Sequence, residues 1–142
     1  MLHLPQPGQL EKFSKAGPRY TSYPTAPAFR DDFTEADYAR LLGKKSGPVS
    51  LYFHIPFCES VCYFCACSVI YTKMHQKALP YLELIDREMQ LVRSHFSSER
   101  LVDQLHLGGG TPTFLTPAEL EKLWQYIRNY FSFTETAEIS IE

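Results

Sequence analysis

At 142 residues, with 44% hydrophobic and 14% aromatic content, the chain is long enough to bury a core and too apolar for a disordered segment. A net charge of −2 gives no electrostatic footing for nucleic acid or an anionic membrane surface, and no apolar run approaches a membrane span. The start, Met1-Leu2-His3-Leu4-Pro5-Gln6-Pro7, lacks the basic residues and apolar stretch of a secretory signal, so a cytoplasmic, reducing compartment is expected.

Residues up to about Pro27 are rich in Pro, Gly and aromatics and show no clear period. They predict an ordered but irregular arm, centred on Pro18-Arg19-Tyr20-Thr21-Ser22-Tyr23-Pro24. Thr34 before Glu35-Ala36-Asp37 predicts a short helix with Tyr38, Leu41 and Leu42 on its apolar side and Gly43 near its end. Val49 to Ile55, bounded by Gly47-Pro48 and Pro56, is an apolar β-prone run and the first expected strand.

Leu82, Ile85, Met89, Val92 and Phe96 recur at helical spacing and predict a helix from about Lys77 to His95. Leu101 to Leu107 is the second expected strand, running into Gly108-Gly109-Gly110-Thr111-Pro112. Thr116-Pro117-Ala118-Glu119 combines a capping Thr, Pro at the first helical position and Glu three residues beyond the cap. The helix it opens should carry Leu120, Leu123, Trp124, Ile127 and Tyr130 or Phe131 inward. Ala137 to Glu142 alternates as a third strand.

Strands alternating with helices predict an α/β fold with parallel strands joined by right-handed crossovers. Ligands in such folds gather at the carboxyl ends of the strands, and the cysteine loop, the triple glycine and Glu142 each lie at such an end. A three-stranded parallel sheet whose last strand has no covering helix is poorly stabilised. The expectation is therefore the N-terminal part of a larger barrel, with residues 1–46 an arm carrying a short helix and residues 47–142 the first strand–helix units.

The four cysteines all fall within the ten residues 58–67. Cys58, Cys62 and Cys65 keep the spacing C-x3-C-x2-C, and on a helical turn they lie within roughly 60° of one another, with Cys67 on the opposite side. Three gathered thiolates suit a 4Fe–4S cubane with one iron open to an outside ligand. Four thiolates also satisfy tetrahedral zinc, although such zinc sites usually pair two cysteine hairpins distant in sequence. Disulfides fit poorly, because two adjacent bridges in so short a stretch would be strained.

An open iron needs a chelating partner. S-adenosylmethionine offers an amine and a carboxylate, and one electron passed to its sulfonium releases a deoxyadenosyl radical. Gly108-Gly109-Gly110 would let bare backbone approach the methionyl end, or else form a plain tight turn. Glu142 could accept from a ribose or pair with a cationic group, or be a solvated carboxylate. Phe64 could shelter the cluster, line an adenine pocket or simply pack. Tyr52 and His54 share one strand face, and either could donate at the site mouth; His54 is a candidate proton carrier or a buried structural histidine. Cys67 is better placed as a hydrophobe or a redox-active thiol near substrate than as a fourth ligand, so Cys67 and His54 are the candidate catalytic groups. His106 and the remaining histidines show no ligand spacing.

The segment Tyr52-Phe53-His54-Ile55-Pro56-Phe57-Cys58, continuing through Cys62-Tyr63-Phe64-Cys65 to Cys67, resembles the radical S-adenosylmethionine superfamily. More narrowly it is similar to the oxygen-independent coproporphyrinogen III oxidases (dehydrogenases). Gly17 to Thr25, His106 to Thr113 and Ala137 to Glu142 match as well, so the resemblance covers nearly the whole chain. It implies cluster ligation by Cys58, Cys62 and Cys65, and a first S-adenosylmethionine met by Tyr52, Phe64, Gly109 and Glu142. A second S-adenosylmethionine would be approached by Gly110 and Thr111, and the arm would lie over the barrel mouth.

The reaction implied is oxidative decarboxylation of two propionates of coproporphyrinogen III to vinyls, giving protoporphyrinogen IX in haem biosynthesis. A monomer served by a reductase or a flavodoxin-type electron donor goes with it. Chains of the family continue through the rest of the barrel and a C-terminal domain, so most substrate contacts are expected outside these residues. Two rivals remain: a radical-SAM-like haem chaperone, and a zinc-stabilised binding module. Cys67 and the Arg19-Tyr20-Thr21-Ser22-Tyr23-Pro24 arm favour the oxidase over the chaperone.

Overall fold

The computed structural model describes residues 25–44 and 46–142, together with Gly8 and Glu11. The centre of the expected arm, Pro18 to Pro24, lies outside the described residues. The chain divides into two compact units, Met1–Phe33 and Thr34–Glu142. In the first, a 3-10 turn spans Ala26–Ala28 and Arg30 pairs with Asp32.

The second unit opens with helix α1, Glu35–Lys44. The Thr34 hydroxyl accepts from the Asp37 N–H at 3.2 Å, and the Asp37 carboxylate accepts from the Thr34 hydroxyl at 2.8 Å, so cap and first turn satisfy one another. Arg40 donates to the same carboxylate at 2.8 Å. Arg40 first, then Thr34, hold the Asp37 carboxyl down from 3.8 to about 2.

Strand β1, Val49–Ile55, has the predicted bounds. After Pro56 come two short strands, β2 at Phe57–Cys58 and β3 at Ile70–Tyr71, which pair parallel with each other. Helix α2 is Ala78–Ser94, strand β4 is Val102–Gly109, helix α3 is Pro117–Tyr130 and strand β5 is Phe133–Ile141. Strands β1, β4 and β5 form one sheet in the order β1-β4-β5, and every pairing is parallel. Helix α3 starts as its sequence predicts: Thr116 Oγ1 accepts from the Glu119 N–H at 3.3 Å, and the Glu119 carboxylate accepts from the Thr116 N–H at 2.8 Å.

The second and third strands differ from expectation at both ends. The second spans Val102–Gly109 rather than 101–107, and its register with β1 slips at Asp103. That irregularity turns both Val102 and Leu105 into the core, which simple alternation does not allow. The third strand spans Phe133–Ile141 rather than 137–142: Phe133 pairs with Val102, and Thr134 to Ala137 form the irregularity before the next pair, Glu138 with Gln104.

The core lies between one sheet face and the two crossover helices. Ile55, Val102 and Leu105 meet Leu82, Ile85 and Met89 of α2 and Leu123 and Ile127 of α3. The other face is polar. Ser50, Tyr52 and His54 on β1 stand across from Gln104, His106 and Gly108 on β4, and Gln104 and His106 stand across from Glu138 and Ser140 on β5. Period-two alternation thus separates an oily face under helices from a hydrophilic one.

Candidate functional site

The carboxyl ends of β1, β4 and β5 carry the site. Beyond β1 the chain turns through Pro56 into β2, and this short strand seats Cys58, which is only 8% exposed. The return strand β3 closes the loop by main-chain bonds: Ile70 N–H to Pro56 carbonyl at 2.7 Å and Thr72 N–H to Cys58 carbonyl at 2.9 Å. Phe57 anchors the base, packed at 5.1 Å from the Phe114 ring and 5.4 Å from Tyr81. The hydroxyl of Tyr81 donates to the His54 carbonyl at 2.6 Å.

Between these strands the cysteine segment is an irregular loop, not a helical turn. Its only internal main-chain bond, among those of the described residues, runs from the Cys65 N–H to the Cys62 carbonyl at 3.2 Å. The expectation that Cys67 points away from the other three thiols is corrected accordingly. Cys58, Cys62, Cys65 and Cys67 all border one cavity of about 670 Å³, and all four are free thiols. The Cys67 thiol is raised above its ordinary value by its interaction with the Cys65 side chain, first by hydrogen bonding and then by charge. Among the described residues no three Cys, His, Asp or Glu side chains are gathered in metal-holding geometry.

Phe64, Gly109, Gly110, Thr111 and Glu142 border the same cavity, so the strand ends bring together nine of the eleven residues singled out from the sequence. Phe64 is 93% exposed, which leaves its ring free of the core. Tyr52 and His54 stand beside the cavity on the polar sheet face. The Tyr52 hydroxyl lies 3.1 Å from His54 Nδ1, and His54 Nε2 lies 2.8 Å from the Ser68 carbonyl. A carbonyl only accepts, so Nε2 carries the proton and Nδ1 accepts from Tyr52. Both ring nitrogens are thereby engaged with protein atoms, and His54 ties β1 to the far end of the cysteine loop.

The three glycines are each small for a different reason. A Cβ on Gly108 would come within 2.9 Å of His106 Nε2 and 3.0 Å of Glu142 Oε2. Gly109 has φ of +114°, and a Cβ there would lie 2.8 Å from His54 Nδ1. A Cβ on Gly110 would meet Cys58 Sγ and the Phe57 carbonyl, each at 2.9 Å. Main-chain bonds from Gly110 N–H to the Ile55 carbonyl at 2.8 Å and from Thr111 N–H to the Phe57 carbonyl at 2.9 Å draw this stretch against the cysteine loop.

Sequence reasoning passed over three contacts. Thr111 Oγ1 lies 3.4 Å from Cys58 Sγ. Tyr71 on β3 has its phenol raised, by desolvation first and then by the nearby Cys65. His106 approaches Glu142 across Gly108. The Gly-rich step hinted at the last, since a residue without a side chain beside a histidine leaves room for a neighbour.

No protein-family model matches the chain. Among curated relatives, an oxygen-independent coproporphyrinogen III oxidase from Helicobacter pylori strain J99 is 43% identical over 140 residues, covering 94% of this chain and 31% of its own length. The chain thus spans about a third of that relative. A protein of the same name from Mannheimia haemolytica is 42% identical over 134 residues and is covered over 91% of its length. The solved structure of coproporphyrinogen III oxidase from Escherichia coli, described as a radical SAM enzyme, superposes with a TM-score of 0.80 at 42% identity, over 94% of this chain and 29% of that one. Similarity this high, running nearly end to end in the Mannheimia relative and matched by the same parallel α/β frame in three dimensions, means that the chain belongs to the oxygen-independent coproporphyrinogen III oxidase family.

Proposed function

We infer that the chain serves the oxygen-independent oxidative decarboxylation of coproporphyrinogen III to protoporphyrinogen IX, as part of a radical S-adenosylmethionine enzyme. One observation carries this reading: four free thiols, two glycines and the Glu142 carboxylate border a single cavity at the carboxyl edge of a parallel sheet, in a member of this family. The division at residue 46, with an N-terminal arm and a barrel portion, belongs to the same proposal, as does a reducing cytoplasmic setting that keeps the thiols free. Among the described residues no helix is long and apolar enough to cross a membrane.

The donor set fits a 4Fe–4S cluster. Cys58, Cys62 and Cys65 would hold it, and soft thiolates are the ligands such clusters take. The cavity of about 670 Å³ lies in the range that holds a small-molecule cofactor. Cys58 is set in advance by β2, whereas Cys62 and Cys65 sit on the exposed loop, which must draw inward on loading. When bound, the cluster and S-adenosylmethionine together supply a carbon-centred radical able to remove a hydrogen from a substrate propionate.

The chain's own residues bind, orient and shield. The Gly109 N–H donates to the Glu142 carboxylate at 3.4 Å and so sets that carboxylate on the cavity wall as an acceptor for the polar end of the nucleotide. Phe64 supplies an unpacked ring for its base. Once Cys58 is a ligand its sulfur has no proton, so Thr111 is the donor in their contact. Tyr52 and His54 hold the loop's far end, and Gly110 leaves space for the Cys58 sulfur. Cys67 stays outside the ligand set, on the substrate side.

Anaerobic reconstitution tests this reading. Iron and sulfide in cluster stoichiometry, with deoxyadenosine released from S-adenosylmethionine under reduction, are expected. Bound zinc without iron or sulfide would replace it with the zinc-module reading, and haem binding without decarboxylation with the haem-chaperone reading.

A further inference from the structure

Cross-strand pairing places Tyr52 on β1 beside His106 on β4, and His106 beside Ser140 on β5, in one row on the polar sheet face. The Tyr52 and His106 rings stack at 5.8 Å between centroids, only 13° from parallel. His106 Nδ1 lies 2.7 Å from Ser140 Oγ, and Nε2 lies 3.7 Å from Glu142 Oε1. Ring and carboxylate meet over Gly108, where a Cβ would sit within 3.0 Å of Glu142 and closer still to His106.

Two hydrogen arrangements suit these neighbours. In the neutral ring Ser140 donates to Nδ1 and Nε2 carries the proton; in the doubly protonated ring Nδ1 donates to Ser140 Oγ and Nε2 keeps its own proton. Both present an N–H toward Glu142, whereas a neutral ring donating from Nδ1 would turn the lone pair of Nε2 to a carboxylate. The stack on Tyr52 fixes the ring plane, and the hydroxyl of Ser140 holds the far nitrogen. Glu142 is then held from two sides, by His106 through one oxygen and by the Gly109 N–H at 3.4 Å through the other. Its carboxylate borders the cysteine-lined cavity.

We propose that His106 is a positioning residue, stacked on Tyr52 and oriented by Ser140, that aims the Glu142 carboxylate into the cavity and so sets affinity for an aminoacyl-nucleoside sulfonium. The proposal rests on the S-adenosylmethionine reading above and adds a residue to it. His106 acts through Glu142, not on the ligand. Gly108 is accordingly small so that ring and carboxylate can meet, whereas Gly109 and Gly110 are small to admit His54 and Cys58.

The test is S-adenosylmethionine binding by the anaerobically reconstituted full chain, read by calorimetry, with iron content and thermal unfolding as controls. His106→Phe keeps the stack and deletes the N–H. It should hold wild-type iron and bind S-adenosylmethionine about fivefold more weakly, the effect expected from losing an N–H that faces an exposed carboxylate at 3.7 Å. His106→Gln restores an N–H and should recover most of that loss. In a Glu142→Gln background His106→Phe should add little, because both act through one carboxylate. Unchanged affinity in His106→Phe, or full additivity with Glu142→Gln, overturns the proposal. If His106→Phe does not fold, Ser140→Ala decides: affinity about threefold weaker supports the proposal, and wild-type affinity overturns it. Wild-type protein that holds iron but does not bind S-adenosylmethionine would instead defeat the functional reading beneath it.

Discussion

The strand–helix frame and the cysteine loop obey different physics within one unit. In the frame, Ile55, Leu82, Leu105, Leu123 and Ile127 are buried and every strand pairing is parallel, so position follows from packing. In the loop, Cys62, Tyr63, Phe64 and Cys65 are exposed, and one main-chain bond spans the turn. The frame is ordered by what it excludes from water; in the proposed function the loop is ordered by what it binds. Cys58 belongs to both, seated in β2 and touching Thr111, and is the fixed point from which a bound cluster would organise the rest.

The sharpest way to break this contrast is to remove thiols one at a time. Cys62→Ser should abolish the absorbance of the reconstituted cluster, and Cys67→Ser should leave it intact. Equal loss in the two would make Cys67 a ligand and the loop's chemistry symmetrical.

Packing gives the next largest effect. Leu82→Ala, at a fully buried position, should cost about 3 kcal/mol of stability in denaturant unfolding. Tyr63→Ala, at a fully exposed one, should change it by less than about 0.5 kcal/mol. Comparable losses would mean that the loop packs like the frame.

At the junction of the two regions, Gly109→Ala forces a side chain onto φ of +114° and into the His54 ring. A cost of about 2 kcal/mol is expected in the same measurement. A neutral result would show that His54 can leave its bond to Ser68 at no expense.

The smallest effect concerns the frame's exposed start. The Asp37 carboxyl is lowered in the folded chain from 3.8 to about 2. Its contribution to the first turn of α1 is therefore present above about pH 4 and disappears as pH falls through about 2. Asp37→Asn should remove that part of the acid dependence in a circular-dichroism titration, and an identical profile would count against the capping account.

The frame was legible in the sequence because burial imposes periods. Leu82, Ile85 and Met89 recur at helical spacing because one face of α2 meets the sheet, and Thr116 with Glu119 announced α3. Strand β4 starts one residue later and ends two residues later than its alternation predicts, since the slip at Asp103 and the glycines at its end carry no apolar period. The loop was legible only as chemistry. Thiol spacing marked Cys58, Cys62 and Cys65 as partners, but spacing carries no geometry where no helix or sheet supplies it, and so the side on which Cys67 lies was missed. The pairing of β2 with β3 escaped for a related reason: two-residue strands have no period to detect. His106 was overlooked because its partners, Tyr52, Ser140 and Glu142, are neighbours only across strands.

Electron paramagnetic resonance of the reduced, anaerobically reconstituted protein, before and after addition of S-adenosylmethionine, addresses the central claim most directly. A reduced-cluster signal whose g-values shift on addition is the predicted result. A signal that does not respond, or no signal from protein carrying its full complement of iron and sulfide, would contradict the account.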